Sequence, residues 1–200
     1  MSLLADDTPF EQPESFEFTS ENLDRAKAHI AKYPPGRQAS AVLPLLWIAQ
    51  EQNGGWLPQA AMDAVAGMLG MAPIRVYEVA TFYTMFNLRP VGRYLLQVCA
   101  TTPCWLRGSD EVVRVCEQKL GLGVGGTTKD GLFTLVEVEC LGACVNAPIL
   151  QVNDDFYEDL DGPATEALLD ALSQGNPSPH GSVTGRRGSE PVGGRTTLLE

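Results

Sequence analysis

The chain has 200 residues, 44% of them hydrophobic, and a formal net charge of -11 at pH 7. Such an apolar share buries one moderate core, or one core with a small helical annex, whereas the acidic surface repels phosphate and excludes DNA and RNA as partners. The longest apolar run, residues 41–49, is interrupted by Pro44, and a membrane-spanning helix needs about 20 apolar residues, so no membrane span is expected.

Residues 1–18 mix Pro, Glu, Ser and Phe without period and read as an extended N-terminal arm. Asp6 and Asp7 stand where a leader would carry basic residues, so the cysteines are expected in a reducing compartment. Residues 19–90 read as a small helical bundle. Thr19 or Ser20 caps a helix running to about Tyr33, with Glu21 and Asp24 in its first turn and Pro34-Pro35-Gly36 as its stop. A second helix covers Gln38 to Gln52, and Pro44 inside it predicts a kink or a late start. A third begins with Pro58 at its first position and places Ala61, Val65, Met68 and Leu69 on one face before Gly70. A fourth runs from Pro73 to about Thr84 and puts Val76, Val79, Ala80 and Tyr83 on one face.

The pattern changes in residues 91–175. Tyr94 to Val98 is a continuous apolar run, as in a buried strand, and delivers Cys99. Asp110 to Leu120 is helical, Phe133 to Val138 is a second strand delivering Cys140, and Ile149–Val152 with Asp155–Tyr157 form a hairpin about Asn153-Asp154. Pro163 opens a last helix reaching about Ser173. The fold class is therefore α+β, a helical bundle followed by the β-α-β-β-α order of a thioredoxin-like domain. Residues 176–200 are rich in Gly, Pro, Ser and Thr and slightly basic through Arg186, Arg187 and Arg195. This tail builds no core by itself, and is either a floppy end or a strap that orders on a partner subunit.

Four of the five cysteines form two pairs, Cys99-x4-Cys104 and Cys140-x3-Cys144, with 35 residues between the pairs. Each pair lies where a strand gives way to a loop, so the loops can bring four thiolates to one corner of a sheet. Three occupants compete for them. Structural zinc favours tighter C-x2-C knuckles, and a disulfide framework suits smaller secreted chains and leaves a fifth cysteine over. A 2Fe-2S cluster offers two irons, each wanting a pair of thiolates, and is the preferred reading. Its Rieske variant needs two histidines near the pairs, but His29 and His180 are remote in sequence, and no third cysteine completes the plant-type ferredoxin spacing. Thr101, Thr102 and Gly142 leave room for N–H and hydroxyl groups to approach the sulfurs, while Glu137 and Glu139 oppose the addition of an electron, so a low-potential centre is expected.

Other features read more plainly. Cys116 lies on the apolar side of its helix with Val112, Val113 and Leu120, as a buried structural thiol. The glycines Gly121, Gly123 and Gly126 match a dinucleotide fingerprint only as letters, because they follow a helix and precede a strand. Trp47, Trp56 and Trp105 are read as core or interface aromatics. A thiol–disulfide oxidoreductase would need an adjacent C-x-x-C, which is lacking.

Three stretches carry a resemblance: Val76-Tyr77-Glu78-Val79-Ala80-Thr81-Phe82-Tyr83-Thr84-Met85-Phe86, Cys99-Ala100-Thr101-Thr102-Pro103-Cys104, and Val138-Glu139-Cys140-Leu141-Gly142-Ala143-Cys144-Val145-Asn146-Ala147-Pro148. Over roughly residues 20–172 the chain resembles the small 2Fe-2S subunits of the NADH dehydrogenase module of respiratory complex I. The resemblance implies one 2Fe-2S cluster on Cys99, Cys104, Cys140 and Cys144, with no catalytic residue in this chain. It also implies a flavin subunit as partner, carrying FMN and NADH, and a larger iron-sulfur subunit beside it. The chain would then act as an electron-transfer subunit of NADH:quinone oxidoreductase, on the cytoplasmic face of a bacterial inner membrane or on the mitochondrial matrix side. Equivalent subunits of NAD-linked hydrogenases or formate dehydrogenases share the cysteine loops, and a zinc-stabilised binding module is the alternative of another class. The stretch Glu190-Pro191-Val192-Gly193-Gly194-Arg195-Thr196-Thr197-Leu198 looks like the C-terminal end of mitochondrial and related bacterial complex I subunits.

Overall fold

The computed structural model describes residues 9–188 and Thr197. The stretch Glu190 to Leu198, Thr197 apart, lies outside the described residues, as do residues 1–8 of the N-terminal arm. Between Arg93 and Tyr94 the chain divides into two compact units.

Among the described residues the first unit holds four helices: α1 (Ser20–Ile30), α2 (Val42–Gln52), α3 (Gln59–Leu69) and α4 (Pro73–Phe82). Thr19 caps α1, its hydroxyl accepting from the N–H of Asn22 at 3.3 Å. The helix stops short of Tyr33, because the residue before Pro34 is disfavoured in helical backbone and the last turn tightens to Tyr33 N–H donating to Ile30 C=O. Pro44 produces the late start. A 3-10 turn over Gln38–Ala41 precedes α2, which puts Pro44 in the first turn, where its missing N–H has no partner to lose. Pro58 sits at the N-cap of α3 rather than at its first position, and Gly70 closes that helix at φ +63°, a left-handed conformation open to glycine.

Leu45, Leu46, Ile48 and Ala49 make α2 the centre of this unit's core, packed with Ala26, Ala61, Val65, Ala66, Val76 and Ala80. Tyr83 leaves the expected face. The helix α4 ends at Phe82, Tyr83 turns extended, and its ring stands exposed. Buried Gln50 satisfies the chain that follows, donating to Met85 C=O at 3.0 Å and accepting from Asn87 N–H at 2.7 Å. The N-terminal arm is laid on this unit by Phe16 and Phe18, and by Phe10 edge-on to Trp56.

Among the described residues the second unit is a five-stranded mixed sheet with three helices: β1 (Tyr94–Cys99), α5 (Thr102–Leu106), α6 (Ser109–Leu120), β2 (Phe133–Val138), β3 (Ile149–Val152), β4 (Asp155–Glu158), α7 (Gly162–Ser173) and β5 (Gly181–Ser182). The strand order is β2-β1-β3-β4-β5, with β1 parallel to β2 and antiparallel to β3. Tyr94, Leu96 and Val98 alternate toward one face, where they join Phe133 and Leu135 of β2, Val112 and Cys116 of α6, and Leu168, Leu169 and Leu172 of α7. Asn153, at φ +53°, makes the β3–β4 hairpin in the expected place.

Two elements depart from the sequence reading. The loop after Cys99 contains the short helix α5, five residues that are too few to show a period. The tail expected to be floppy or to await a partner instead begins by adding β5 to the edge of its own sheet, parallel to β4. Among the described residues no helix is long and apolar enough to cross a membrane.

Leu135 is fully buried between β1 and the helices. Leu135→Ala is expected to destabilise the second unit by about 2–5 kcal/mol, from lost transfer energy and the cavity left behind. Chemical denaturation followed by circular dichroism measures it, and a loss below the bottom of that range would mean the site collapses around the gap.

Candidate metal centre

Sheet topology brings the cysteines together. Because β1 and β2 are parallel, with Cys99 in register with Val138, their C-terminal ends share one edge of the sheet. The antiparallel β3 starts at that same edge, on the far side of β1. The segment 139–148 must therefore cross over the end of β1, a span of about two interstrand spacings, or roughly 10 Å. Cys140 and Cys144 ride on this crossing, and Cys99 lies at the strand end beneath it. Cys104 returns to the same corner because Pro103 helps to start α5 and Trp105 N–H bonds back to Thr101 C=O at 2.9 Å.

The four thiols form one interacting group. Cys140 Sγ and Cys144 Sγ are 3.3 Å apart. Cys99 and Cys104 hydrogen-bond each other, and Cys99 acts electrostatically on both Cys140 and Cys144. Cys99 and Cys104 are buried, together with Ala147 and Ile149, whereas Cys140 and Cys144 are exposed. One side of the group is sealed and the other open to solvent.

Donors aimed at sulfur set the protonation pattern. Burial pushes the Cys99 thiol up, but hydrogen bonds from Thr101, Cys104 and the Leu141 backbone outweigh it and leave it lowered. The Thr101 hydroxyl lies 3.3 Å from Cys99 Sγ. The Gly142 N–H donates to Cys140 Sγ at 3.4 Å and, with help from Cys144, lowers that thiol too. Gly142 has φ +82°, a conformation that suits glycine and turns the N–H toward the sulfur. Cys104 is pushed up to about 12, first by burial and then by its bond to Cys99. Cys144 is raised chiefly because it donates to Cys140. Each loop thus holds one thiol shifted down and one shifted up, and a soft cation bound there would displace the protons that remain.

This donor set fits an iron-sulfur cluster. Soft thiolates in two pairs match two irons, and N–H and O–H groups on the sulfurs offset negative charge. Among the described residues no group of three or more His, Cys, Asp or Glu side chains is disposed to hold a single metal ion. The thiols are gathered at one corner as two pairs, one on each loop.

Cys116 is fully buried in the helix-facing core, and burial pushes its thiol up to about 12. The loop after Gly121 leads from α6 into β2, its Gly125 N–H bonded to Leu135 C=O. Trp47 packs against the first unit's core, whereas Trp105 stands 57% exposed and donates to Asp110 at 3.0 Å. Sequence reasoning missed the backbone groups of Leu141 and Ile149 that reach the thiols, for which no side-chain signal exists.

A family model described as thioredoxin-like 2Fe-2S ferredoxin matches residues 26–173. The chain belongs to this family. It is 59% identical over 158 residues to an NADH-quinone oxidoreductase subunit of Rickettsia conorii, covering 79% of this chain and 95% of that one. It is 54% identical to NADH dehydrogenase (ubiquinone) flavoprotein 2, mitochondrial, of Dictyostelium discoideum, across 92% of this chain and 75% of that one. Among solved structures, an air-oxidized NAD+-reducing NiFe-hydrogenase aligns with a TM-score of 0.58 at 20% identity, over 66% of this chain and 23% of that one. That likeness is one of fold.

In the iron-free chain, the lowered Cys140 is exposed and carries more thiolate than an ordinary cysteine at any pH below its usual value, so it should alkylate fastest. Cys104 and Cys116, raised and buried, should resist alkylation until pH approaches about 12 or the chain unfolds. Timed iodoacetamide labelling with peptide mass mapping checks the order, and preferential labelling of Cys116 would contradict it.

Proposed function

We propose that this chain is an electron-transfer subunit of an NADH:quinone oxidoreductase, holding one 2Fe-2S cluster through Cys99 and Cys104 on one loop and Cys140 and Cys144 on the other. The observation that carries the proposal is the convergence of the two cysteine loops at the end of β1, in a chain so similar to known subunits of such enzymes. When bound, the cluster takes up and returns single electrons.

The chain's own residues define the rest. Gly142 N–H and the Thr101 hydroxyl stabilise negative sulfur, which eases reduction. Glu137 and Glu139, exposed on the approach to Cys140, and the net charge of -11 work against it, and together they favour a low potential. Hydride chemistry belongs to a flavin-bearing partner that holds FMN and NADH, with a larger iron-sulfur subunit beyond it. Trp105 and Leu106 beside Cys104, and Val145 beside Cys144, are more than half exposed. This apolar rim around the ligand loops supports their face as the one that meets the flavin partner. The bundle over residues 19–90 and the ferredoxin domain over 91–175 serve as separate docking bodies on that assembly. The complex places the chain in a peripheral arm, on the cytoplasmic or matrix side.

Anaerobic purification should yield about two irons and two acid-labile sulfides per chain, and dithionite should bleach the visible spectrum and produce a paramagnetic signal. About one zinc and no sulfide would overturn the reading. Cys→Ser at position 99, 104, 140 or 144 should lower iron retention, while Cys116→Ser should keep it; dependence on Cys116 would refute the ligand assignment. Affinity capture from the native organism should bring down a flavin-binding NADH dehydrogenase subunit.

A further inference from the structure

Beyond Leu172 the chain returns to the sheet and reaches the ligand loop, an arrangement that the four cysteines do not require. The Tyr157 hydroxyl donates to Ser178 C=O at 3.1 Å, Gly181 and Ser182 pair with Tyr157 and Glu158, and Val183 N–H donates to Glu158 C=O at 3.1 Å. The strap then converges on one carboxylate. Asp159 has a side chain only 6% exposed and a left-handed φ of +57°, a conformation Asp tolerates better than most residues. It accepts from the Ser182 hydroxyl at 2.6 Å, the Thr184 hydroxyl at 3.3 Å, and Arg186 through Nε at 3.3 Å and Nη2 at 2.6 Å. Burial alone would raise this carboxyl, but Arg186 and the hydroxyls outweigh it and hold it below the usual carboxylate range.

Arg186 Nη2 also donates to Val145 C=O at 2.5 Å. Val145 follows Cys144 directly. Two further contacts tie the same loop to the end of β4: Asp159 N–H donates to Asn146 C=O at 2.7 Å, and the Asn146 side-chain amide donates to Glu158 at 2.5 Å. A guanidinium fork can pair with a carboxylate and still present an N–H to a carbonyl in its plane. An ammonium on a flexible stem keeps the charge without that fixed geometry.

We propose that Arg186, anchored on Asp159 by the Gly181–Arg186 strap, is a positioning residue that holds the Cys140–Cys144 ligand loop through the Val145 carbonyl and sets a positive charge beside the site. The inference rests on the cluster assignment above for its electronic part, but loop positioning can be measured without iron. In the iron-free full chain, Arg186→Ala and Arg186→Lys should both speed amide hydrogen exchange in the segment 143–147 about tenfold, the size expected for loss of a charge-assisted hydrogen bond. Exchange in β1 and β2 should not change. In the iron-loaded chain, Arg186→Ala should release iron to a ferrous chelator faster and shift the midpoint potential to more negative values. Arg186→Lys should release iron faster with the potential kept near that of the parent. Arg114→Ala, which removes a cation from the outer face of α6 where it pairs with Glu111, should change none of these.

Unchanged exchange in 143–147 for both Arg186 variants would overturn the positioning role, and an equal potential shift in Arg114→Ala would overturn the role of the Arg186 charge beside the site. A parent chain that binds no iron would defeat the cluster assignment alone and leave the exchange comparison to decide the loop. Should Arg186→Ala fail to fold, Arg186→Lys and Asp159→Asn carry the same exchange test.

Discussion

The parallel pairing of β1 with β2, flanked on the other side by antiparallel β3, is the constraint on which the second unit depends. Parallel neighbours cannot be joined by a tight turn, so the connection from β1 to β2 must leave the sheet and return, and α5 and α6 supply it. Both strands then finish at one edge. Because β3 also begins there, the chain from β2 has no route except over the end of β1. Cys99 sits on the strand that is crossed and Cys140 and Cys144 on the chain that crosses. The gathering of four thiols is thus a consequence of strand order.

Burial divides the same edge into two chemistries. The face of β1 bearing Leu96 and Val98 is sealed by α6 and α7, and there Cys116 is a small apolar residue with its thiol pushed far up. One residue further on, strand alternation turns Cys99 away from that core into a smaller cluster with Cys104, Ala147 and Ile149. In that pocket, donors from Thr101 and Leu141 reverse the effect of burial. Identical side chains thus become inert packing or a shifted thiol at the gathered corner according to the direction of one strand pleat and the availability of a few N–H and O–H groups.

The end of β4 gives the site a second layer of support. Asp159 leaves the strand in a left-handed conformation, and this aims its N–H at the Asn146 carbonyl and its carboxylate at the returning strap. Held charge on a ligand loop matters twice, because it limits the loop's motion and changes the field at the sulfurs. The exposed apolar side chains Trp105, Leu106 and Val145 lie close in sequence to Cys104 and Cys144, so an exposed apolar rim and the gathered thiols are built from the same loops.

Much of this was legible in the residues. Apolar runs and Gly or Pro stops located α3 by its closing Gly70 and β1 by Tyr94 to Val98, and the two cysteine pairs, standing where strands give way to loops, marked the corner at which the folded chain gathers four thiols. Boundaries were less legible: Tyr83 looked like a core residue until α4 ended one residue before it, and α5 was too short for any period to show. Which partner each strand takes, how deeply each thiol is buried, and where the tail returns were decided by tertiary structure. The contact of Arg186 with Val145 spans 41 positions and uses a backbone carbonyl, a group that every residue carries and that no sequence pattern can mark. Side-chain identity records which atoms are available, and only the folded chain sets the distances that make them a site.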